Sequence, residues 1–294
     1  MTSRRKTPVH LALIFVQLTF GAFHVVGKSV LAHLSPLQMA GLRVVLAAPF
    51  LLVLAWRVER VIPARRHLPM LAFLGLFGVF ANQVLYALGL KTTTASNAGI
   101  LMLSIPVFTA AIAAIAGVER SSWRFAVGIL VAVVGAFVLL HPGQLVLGGA
   151  AAVGNALILG NCLAYALYLV FQRPILSKLP PLTVVAWAFL FGGLGVLLVS
   201  WRQLQSLAHL QVPAGVWIGL AYIVLIPTAV NYAINTWALR ASSPRLVATY
   251  TTLQPVAAAV LAALFLGERI GPREVVGFVL IVGGLTVVSS RERP

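Results

Sequence analysis

Amide and hydroxyl side chains recur at helical spacing inside the long apolar stretches of this sequence. Asn82 and Tyr86 lie four residues apart, and Asn231 and Asn235 repeat that spacing later in the chain. Residues three or four positions apart share one face of a helix, so each pair forms a polar stripe. These groups donate and accept hydrogen bonds without carrying charge, which suits reversible binding of a polar solute rather than covalent chemistry.

The candidate solute-binding residues are polar side chains that lie within apolar runs. They are Gln17, His24, Asn82, Tyr86, Asn97, Ser104, Tyr165, Tyr168, Asn231, Asn235, Tyr250 and Gln254. Lipid cannot satisfy such groups, so they are expected to face the interior of a helical bundle. Two roles are open for each of them: contact with a bound solute, or hydrogen bonding between neighbouring helices.

Charged side chains narrow the class of solute. The chain contains no Asp, and its five Glu residues fall in loops, at the ends of apolar runs or in the tail. A carboxylate that holds a cation or carries a proton in mid-membrane is therefore not expected. Arg43 lies within an apolar run and either attracts an anionic group such as a carboxylate or extends to the membrane interface. His24, well inside the first run, is either a proton-coupled residue or a structural one.

Patterns typical of catalysis and metal binding are missing from the sequence. An integral-membrane enzyme would need paired acids, a metal-ligand cluster or a nucleophile beside its base. The chain has no Asp, no His pair at ligand spacing and no Gly-rich phosphate loop. We therefore expect no enzymatic activity, no cofactor and no bound metal, and an integral-membrane enzyme is the weaker alternative.

The composition indicates a lipid environment. Hydrophobic residues make up 61% of the chain and charged residues 9%, with a mean hydropathy of +1.01. A soluble domain carries about 25% charged residues. The net charge of +16 does not indicate nucleic-acid binding, because the basic residues stand at the ends of apolar runs instead of forming one polar surface. The expected partners are a small-molecule solute and the lipid bilayer.

Ten apolar runs divide the chain. They cover residues 8–28, 37–56, 68–90, 95–117, 124–141, 151–172, 182–201, 213–238, 245–266 and 273–290. Each is close to the ~20 residues that a helix needs to cross the hydrocarbon core, and none shows the alternation of a membrane barrel strand. The sequence predicts an all-α integral membrane protein with ten transmembrane helices.

The chain contains one pattern twice. A shift of 149 positions aligns Asn82 with Asn231, Pro106 with Pro255, Glu119-Arg120 with Glu268-Arg269, Gly128 with Gly277 and Gly135 with Gly284. Chance alignment of two apolar helices would match Ala, Leu and Val, but rarely two Pro and two Glu-Arg pairs. We predict two five-helix repeats, residues 8–140 and 152–290, joined by the Gly- and Pro-bearing stretch 141–151.

The distribution of basic residues orients the helices. With a cytoplasmic amino terminus, fifteen of the 21 Lys and Arg residues fall on the cytoplasmic side, five fall on the other side, and Arg43 lies within a span. This excess predicts that both termini face the cytoplasm. An odd number of spans per repeat then gives inverted topology, which is typical of alternating-access secondary transporters. A non-transporting membrane scaffold built by duplication is the alternative.

Two prolines carry a mechanical prediction. Pro106 and Pro255 sit near the middle of their runs and cannot donate to the carbonyls of Met102 and Thr251. Freed carbonyls in mid-membrane must meet protein or water, so each proline is predicted to be a hinge that borders a cavity. A bend that serves packing alone is the alternative.

Small-residue stripes predict close contacts between helices. Gly128 and Gly135 lie seven residues apart, and Gly277 and Gly284 repeat the interval. Glycine lets two helix backbones approach closely. The stripes predict either packing within the chain or a homodimer contact.

These residues carry a family resemblance that covers essentially the whole chain. The first half has Ala87-Leu88-x-Leu90-Lys91-Thr92-Thr93-Thr94-Ala95-Ser96-Asn97-Ala98, Pro106-Val107, Glu119-Arg120 and Gly128. The second half has Ala238-Leu239-Arg240-Ala241-Ser242-Ser243-Pro244, Gln254-Pro255-Val256, Leu266-Gly267-Glu268-Arg269, Gly277 and Gly283-Gly284. Both resemble the EamA-type repeat of the drug/metabolite transporter superfamily. The resemblance implies a ten-helix carrier of a bacterial-type inner membrane that exports or exchanges small polar metabolites such as amino acids.

Overall fold

The computed structural model describes residues 7–93, 95–118, 123–139, 149–266 and 271–289, and these residues form fourteen α-helices. The helices are α1 Thr7–Leu31, α2 Pro36–Val58, α3 Leu68–Gly75, α4 Asn82–Thr92, α5 Ala95–Met102, α6 Ser104–Ile115, α7 Trp123–Leu139, α8 Ala150–Ile175, α9 Pro181–Gln205, α10 Ala214–Ile223, α11 Asn231–Ala241, α12 Pro244–Tyr250, α13 Gln254–Leu266 and α14 Pro272–Ser289. They follow the predicted apolar runs. Both charged termini, the two Glu-Arg turns and most of the joint 141–151 lie outside the described residues.

Several helical segments have the length and composition of membrane spans. Within the described ranges, six are long and apolar enough to cross a membrane: Pro36–Val58, Arg65–Thr92, Ala98–Ile115, Ala151–Ile175, Pro181–Gln205 and Ala214–Ala241. Three shorter apolar helical stretches are Pro8–Phe23, Phe125–Val138 and Val275–Val288. The all-helical membrane architecture is thus confirmed in outline, and the count of ten spans stays a prediction.

Helix starts follow from local capping groups. The Ser35 hydroxyl accepts from the amide of Gln38 at 3.2 Å, and the Gln38 side chain accepts from the Ser35 amide at 2.7 Å. This capping box satisfies two amides that have no partner inside α2. The Ser243 hydroxyl caps α12 by accepting from Leu246 N at 3.2 Å, and Pro244 stands at the first helical position.

Helices α2 and α9 are equivalent in the two halves and pack along each other. At one end, the Glu59 carboxylate accepts from the amide and the hydroxyl of Thr183, both at 2.7 Å. An acidic group is favourable there because a helix amino terminus carries partial positive charge. At the other end, the side-chain amide of Gln38 donates to the carbonyl of Gln203 and to the hydroxyl of Ser206, both at 3.0 Å. The pair is therefore held at both ends.

Three further helix contacts also join the two halves. The carboxy-terminal helices α7 and α14 pack on each other, α1 packs on α13, and α6 packs on α8. Because α1 corresponds to α8 and α6 to α13, these last two contacts are counterparts. Reciprocal contacts of this kind are expected of two similar halves related by an approximate twofold axis, and the repeat topology itself stays a prediction.

Glycines bring α7 and α14 into close contact. A Cβ at Gly135 would lie 2.8 Å from the carbonyl oxygen of Gly277, and one at Gly284 would lie 2.5 Å from that of Gly128. The predicted small-residue stripes therefore pack against one another within the chain. These glycines therefore do not support a homodimer contact, and the homodimer stays a prediction.

A π-helical turn precedes the same position in each half. Leu76–Ala81 leads into α4, and Val224–Val230 leads into α11. In the second half, Pro227 cannot donate to the carbonyl of Ile223, and the Thr228 hydroxyl donates to that oxygen at 2.7 Å instead. The Thr228 hydroxyl thus supplies the Ile223 carbonyl with a donor that Pro227 lacks. Turns of this kind are rare in helices and often mark functional sites.

Each predicted proline hinge follows a break in its helix. Helix α5 ends at Met102 and α6 begins at Ser104, two residues before Pro106. Helix α12 ends at Tyr250, and a short 3₁₀ turn leads to α13, whose second residue is Pro255. Both prolines therefore lie in the first turn of a new helix, where the missing amide hydrogen has no intrahelical partner. Their role as hinges stays a prediction.

Candidate solute-binding cavity

A cavity lies where helices of both halves converge. It encloses about 670 Å³ of space without protein atoms, including its opening. Its described lining consists of Gln17, Phe20, Phe23, Arg43, Asn82, Gln83, Tyr86, Met102, Ile105, Asn161, Tyr165, Tyr232, Asn235, Thr251 and Gln254. Aromatic and apolar walls with a few converging polar groups are typical of small-molecule sites.

Half of the predicted solute-binding residues line this cavity: Gln17, Asn82, Tyr86, Tyr165, Asn235 and Gln254. Three of them come from the first half and three from the second. Gln254 donates to the Gln17 side chain at 3.0 Å, which joins α13 to α1 across the cavity wall. Asn235 donates to the Tyr165 hydroxyl at a longer 3.5 Å. The structure thus brings stripes that are distant in sequence to one place.

Two other predicted residues are buried between helices. The Asn231 side chain accepts from the Thr19 hydroxyl at 3.0 Å and donates to the carbonyl of Val16 at 3.4 Å. The Tyr250 hydroxyl is hydrogen-bonded to Nδ1 of His10 at 2.7 Å. Both residues tie their helices to α1, which is the interhelical role left open by the sequence.

Tyr168 is buried beneath the first π-helical turn. It is 2% exposed, and its hydroxyl accepts from Gln172 at 2.7 Å. A Cβ at Gly78 would lie 2.1 Å from Cδ2 of the Tyr168 ring, so only glycine fits at that position of the turn. Tyr165, three residues earlier, lines the cavity with its ring stacked near Tyr168 at a centroid distance of 6.1 Å. The polar stripe of α8 therefore places Tyr165 at the cavity and Tyr168 in the packing between helices.

The last three predicted residues are not among the described residues that line the cavity. Ser104 begins α6 and is not among the described lining residues. His24 lies in α1 and Asn97 in α5, and their side chains lie outside the described part of the structure.

Gln83 and Tyr232 are cavity residues that the sequence reasoning missed. They are 149 positions apart, so they are equivalents in the two halves, and Gln83 Nε2 donates to the Tyr232 hydroxyl at 3.3 Å. The Tyr232 hydroxyl also lies 3.4 Å from the side-chain oxygen of Asn82. Equivalent residues of a predicted repeat are expected to meet only near an axis that relates its halves. The repeat offset itself was the signal, because it pairs Gln83 with Tyr232 just as it pairs Asn82 with Asn231.

The breaks before the two prolines border the cavity. Met102 and Ile105 flank the α5–α6 break, Thr251 and Gln254 flank the α12–α13 break, and all four line the cavity. The carbonyls that the prolines cannot reach belong to Met102 and Thr251. Irregular backbone at membrane depth is tolerated where it faces such a space.

Arg43 is the charged residue among the described lining. It is 5% exposed, its Nε donates to the Thr228 hydroxyl, and its Nη1 donates to Gln83 at 3.3 Å. The guanidinium stacks on the Phe23 ring at 4.9 Å from the centroid. The side chain therefore stays inside the bundle and does not extend to the membrane interface, which was the alternative.

A bundle of long apolar helices around a polar, aromatic cavity defines a membrane protein that binds solutes. The chain belongs to the EamA-like transporter family, whose model matches residues 7–141 and again residues 152–290. This family lies in the drug/metabolite transporter superfamily and consists of transporters, not enzymes. The predicted family is thereby confirmed.

Relatives from plants and bacteria share most of the chain. "Protein WALLS ARE THIN 1" of Arabidopsis thaliana is 28% identical, over 96% of this chain and 82% of its own. "Probable terminal-alkyne amino-acid exporter" of Streptantibioticus cattleyicolor is 28% identical, over 78% and 75%. "Uncharacterized transporter YyaM" of Bacillus subtilis is 22% identical, over 96% and 93%.

A solved crystal structure has a similar fold. It superposes with a TM-score of 0.79, with 16% sequence identity, over 97% of each chain. At this identity, the likeness concerns the fold alone.

Proposed function

We propose that this protein is an alternating-access carrier of small polar metabolites, built from ten membrane-spanning helices in two inverted five-helix repeats, residues 8–140 and 152–290. The observation that carries the proposal is the cavity between the halves, at which the equivalent residues Gln83 and Tyr232 meet at 3.3 Å. A site on the axis between two similar halves can open to either side as the halves rock.

The proposed contacts with the solute come from six residues that line the cavity: Gln17, Asn82, Tyr86, Tyr165, Asn235 and Gln254. Their amide and phenol groups donate and accept hydrogen bonds, and the aromatic rings cover apolar parts of a solute. Asn231, Tyr168 and Tyr250 hold helices together in this scheme. Pro106 and Pro255 allow the broken helices beside the cavity to bend.

A named relative and the distribution of basic residues support the proposed direction and location of transport. One relative is named a probable amino-acid exporter, so we propose export or exchange of amino acids or similar metabolites. The excess of Lys and Arg on one side supports an inner-membrane protein with both termini in the cytoplasm.

Uptake into proteoliposomes tests the proposal. Labelled amino acids and nucleosides are offered to vesicles that contain the purified protein, with and without an imposed pH gradient, and empty vesicles are the control. We expect saturable uptake of at least one solute, and a weaker apparent affinity in Asn235→Ala. A response to the gradient would indicate proton coupling, for which His24 is the candidate residue. The absence of uptake from folded protein for every solute would overturn the carrier.

A further inference from the structure

We infer that Arg43 binds a carboxylate of the solute, so that the cavity selects organic acids over amines. The inference rests on the proposed function and names the substrate class of the same cavity. Four features carry it: the burial of Arg43, the groups that hold it, the charge balance of the lining and the chemistry of the remaining walls.

Arg43 is held in place by both halves of the molecule. Its Nε donates to the Thr228 hydroxyl, which itself donates to the carbonyl that Pro227 leaves free at Ile223. Its Nη1 donates to Gln83 in the first half at 3.3 Å. A guanidinium fixed in this way loses little further freedom when it binds a ligand, so it is preorganised for binding.

The charge of Arg43 has no counter-ion in the described lining. The residues around the cavity carry amide, phenol and apolar groups, and none of those described is a carboxylate. Glu59, on the same helix, is sixteen residues away, about 24 Å at 1.5 Å per residue. It also caps α9 through Thr183. A buried cation without an anion is costly, and a bound carboxylate would relieve that cost.

Donor capacity on Arg43 remains for a ligand. A guanidinium has five N–H bonds, and the hydrogen bonds to described residues use Nε and Nη1. No described residue accepts from Nη2. Arginine recognises carboxylates through two parallel hydrogen bonds, and the Phe23 ring, 4.9 Å from the guanidinium carbon, supports one face of the plane.

The other walls suit an uncharged body. Aromatic rings of Phe20, Phe23, Tyr86, Tyr165 and Tyr232 line the cavity together with several amides. An ammonium group placed there would meet amide and phenol oxygens but no described carboxylate, and it would be repelled by Arg43. The expected order of affinity is carboxylic acid, then zwitterion, then amine.

Three ligands with the same ring separate these classes. Binding of phenylacetate, phenylalanine and phenethylamine is measured by calorimetry on the full chain in lipid nanodiscs. The acid should bind most tightly and the amine should not bind. Arg43→Gln should weaken binding of phenylacetate about 10- to 100-fold, as expected for lost charge-assisted hydrogen bonds. Arg43→Lys should lose less, because lysine keeps the charge without the paired geometry.

Arg245 provides a matched control. It is also buried in a helix, at 3% exposure, and also stacks on an aromatic ring, Phe125, at 4.9 Å. It is not among the described residues that line the cavity. Arg245→Gln should therefore leave the order of the three ligands unchanged.

Several results would overturn the inference. Equal binding of acid and amine to the wild type would do so without any variant, as would failure of both phenylacetate and phenylalanine to bind. An unchanged preference for the acid in folded Arg43→Gln would assign selectivity elsewhere. Uptake of uncharged or cationic solutes by the same preparation would leave the carrier intact while rejecting the carboxylate site.

Discussion

Asn82 and Asn231 occupy equivalent positions, each directly after a π-helical turn, yet their surroundings differ. Asn82 lines the cavity, and its side-chain oxygen lies 3.4 Å from the Tyr232 hydroxyl. Asn231 is fully buried, with its side chain bonded to Thr19 and Val16 of α1. The same residue in the same local frame is thus a wall of the cavity in one half and an interhelical contact in the other.

The difference lies in how the first helix of the opposite half packs. Against α4, the Asn161 side chain of α8 donates to the backbone carbonyl of Asn82 at 2.6 Å, so the contact with α8 does not use the Asn82 side chain, which lines the cavity. Against α11, the helix α1 meets the Asn231 side chain itself. Equivalent positions in the repeated sequence therefore pack in two different ways. In the proposed carrier, an exchange of these states between the halves would move the opening from one side to the other.

The variant Gly78→Ala should have the largest effect, and it alters the π-helical turn of the first half only. Gly78→Ala would place a Cβ 2.1 Å from the Tyr168 ring, which is itself fully buried. The turn or the ring must move, and overpacking of this kind costs about 1–3 kcal/mol or more. We expect a large fall in Tm. Thermal unfolding in detergent, monitored by tryptophan fluorescence, measures it. Gly283→Ala, where nothing lies within 4 Å, is the control and should leave Tm unchanged or raise it. Equal Tm values for both variants would contradict this contact.

The second prediction concerns the π-helical turn of the other half. Thr228→Val keeps the side-chain shape but removes the hydroxyl that satisfies Ile223 and accepts from Arg43. Leaving these two groups unpaired should cost about 1–3 kcal/mol in the free energy of unfolding. Denaturant titration in detergent measures it. Thr228→Ser keeps the hydroxyl and should be close to wild type, so a loss of similar size in both variants would point to packing instead.

The third prediction separates the two asparagines directly. Asn82→Ala should weaken solute binding about tenfold with little change in Tm, since its side chain faces the cavity. Asn231→Ala should lower the free energy of unfolding by about 1 kcal/mol, since it loses bonds to α1. Ligand binding and thermal unfolding are measured on both variants. Indistinguishable behaviour of the two would remove the asymmetry between the halves.

The smallest effect is expected at the helix breaks. Pro255→Ala removes the proline ring, which obstructs the turn before it, and should favour a straighter α12–α13 connection by a fraction of a kcal/mol. A cysteine at Gln254, in a background without Cys162, reports accessibility to a membrane-impermeant reagent from each side. We expect the ratio of labelling from the two sides to change severalfold, with Pro106→Ala acting in the opposite sense. Labelling ratios that match the proline-containing parent would reject both hinges.

The polar stripes show what helical spacing can predict about a side chain and what it cannot. The intervals between Tyr165 and Tyr168, and between Asn231 and Asn235, correctly placed polar groups on interior faces. They did not indicate that Tyr165 and Asn235 line the cavity while Tyr168 and Asn231 are buried between helices. Spacing defines a face of one helix, but neighbouring helices decide whether that face meets a space or another side chain.

One contact of the cavity can be predicted from the sequence only when the repeat is taken into account. The offset of 149 residues pairs Gln83 with Tyr232, and their contact at 3.3 Å follows if an axis relates the halves there. The π-helical turns gave no periodic signal, because one extra residue in a wholly apolar run leaves the run apolar. The glycine stripes left two partners open for a similar reason, since a small-residue face does not indicate which helix packs on it; the structure shows packing within the chain, and the homodimer stays a prediction.

By itself, the sequence determined the membrane environment, the helical class, the duplicated pattern and the family, because length, hydrophobicity and the spacing of rare residues are local properties. The tertiary structure alone decided which polar groups converge on the cavity, that Arg43 stays inside the bundle, and that Asn82 and Asn231 differ. Those outcomes depend on contacts between segments as far apart as α1 and α13, whose relative placement is set by the packing of all the helices together.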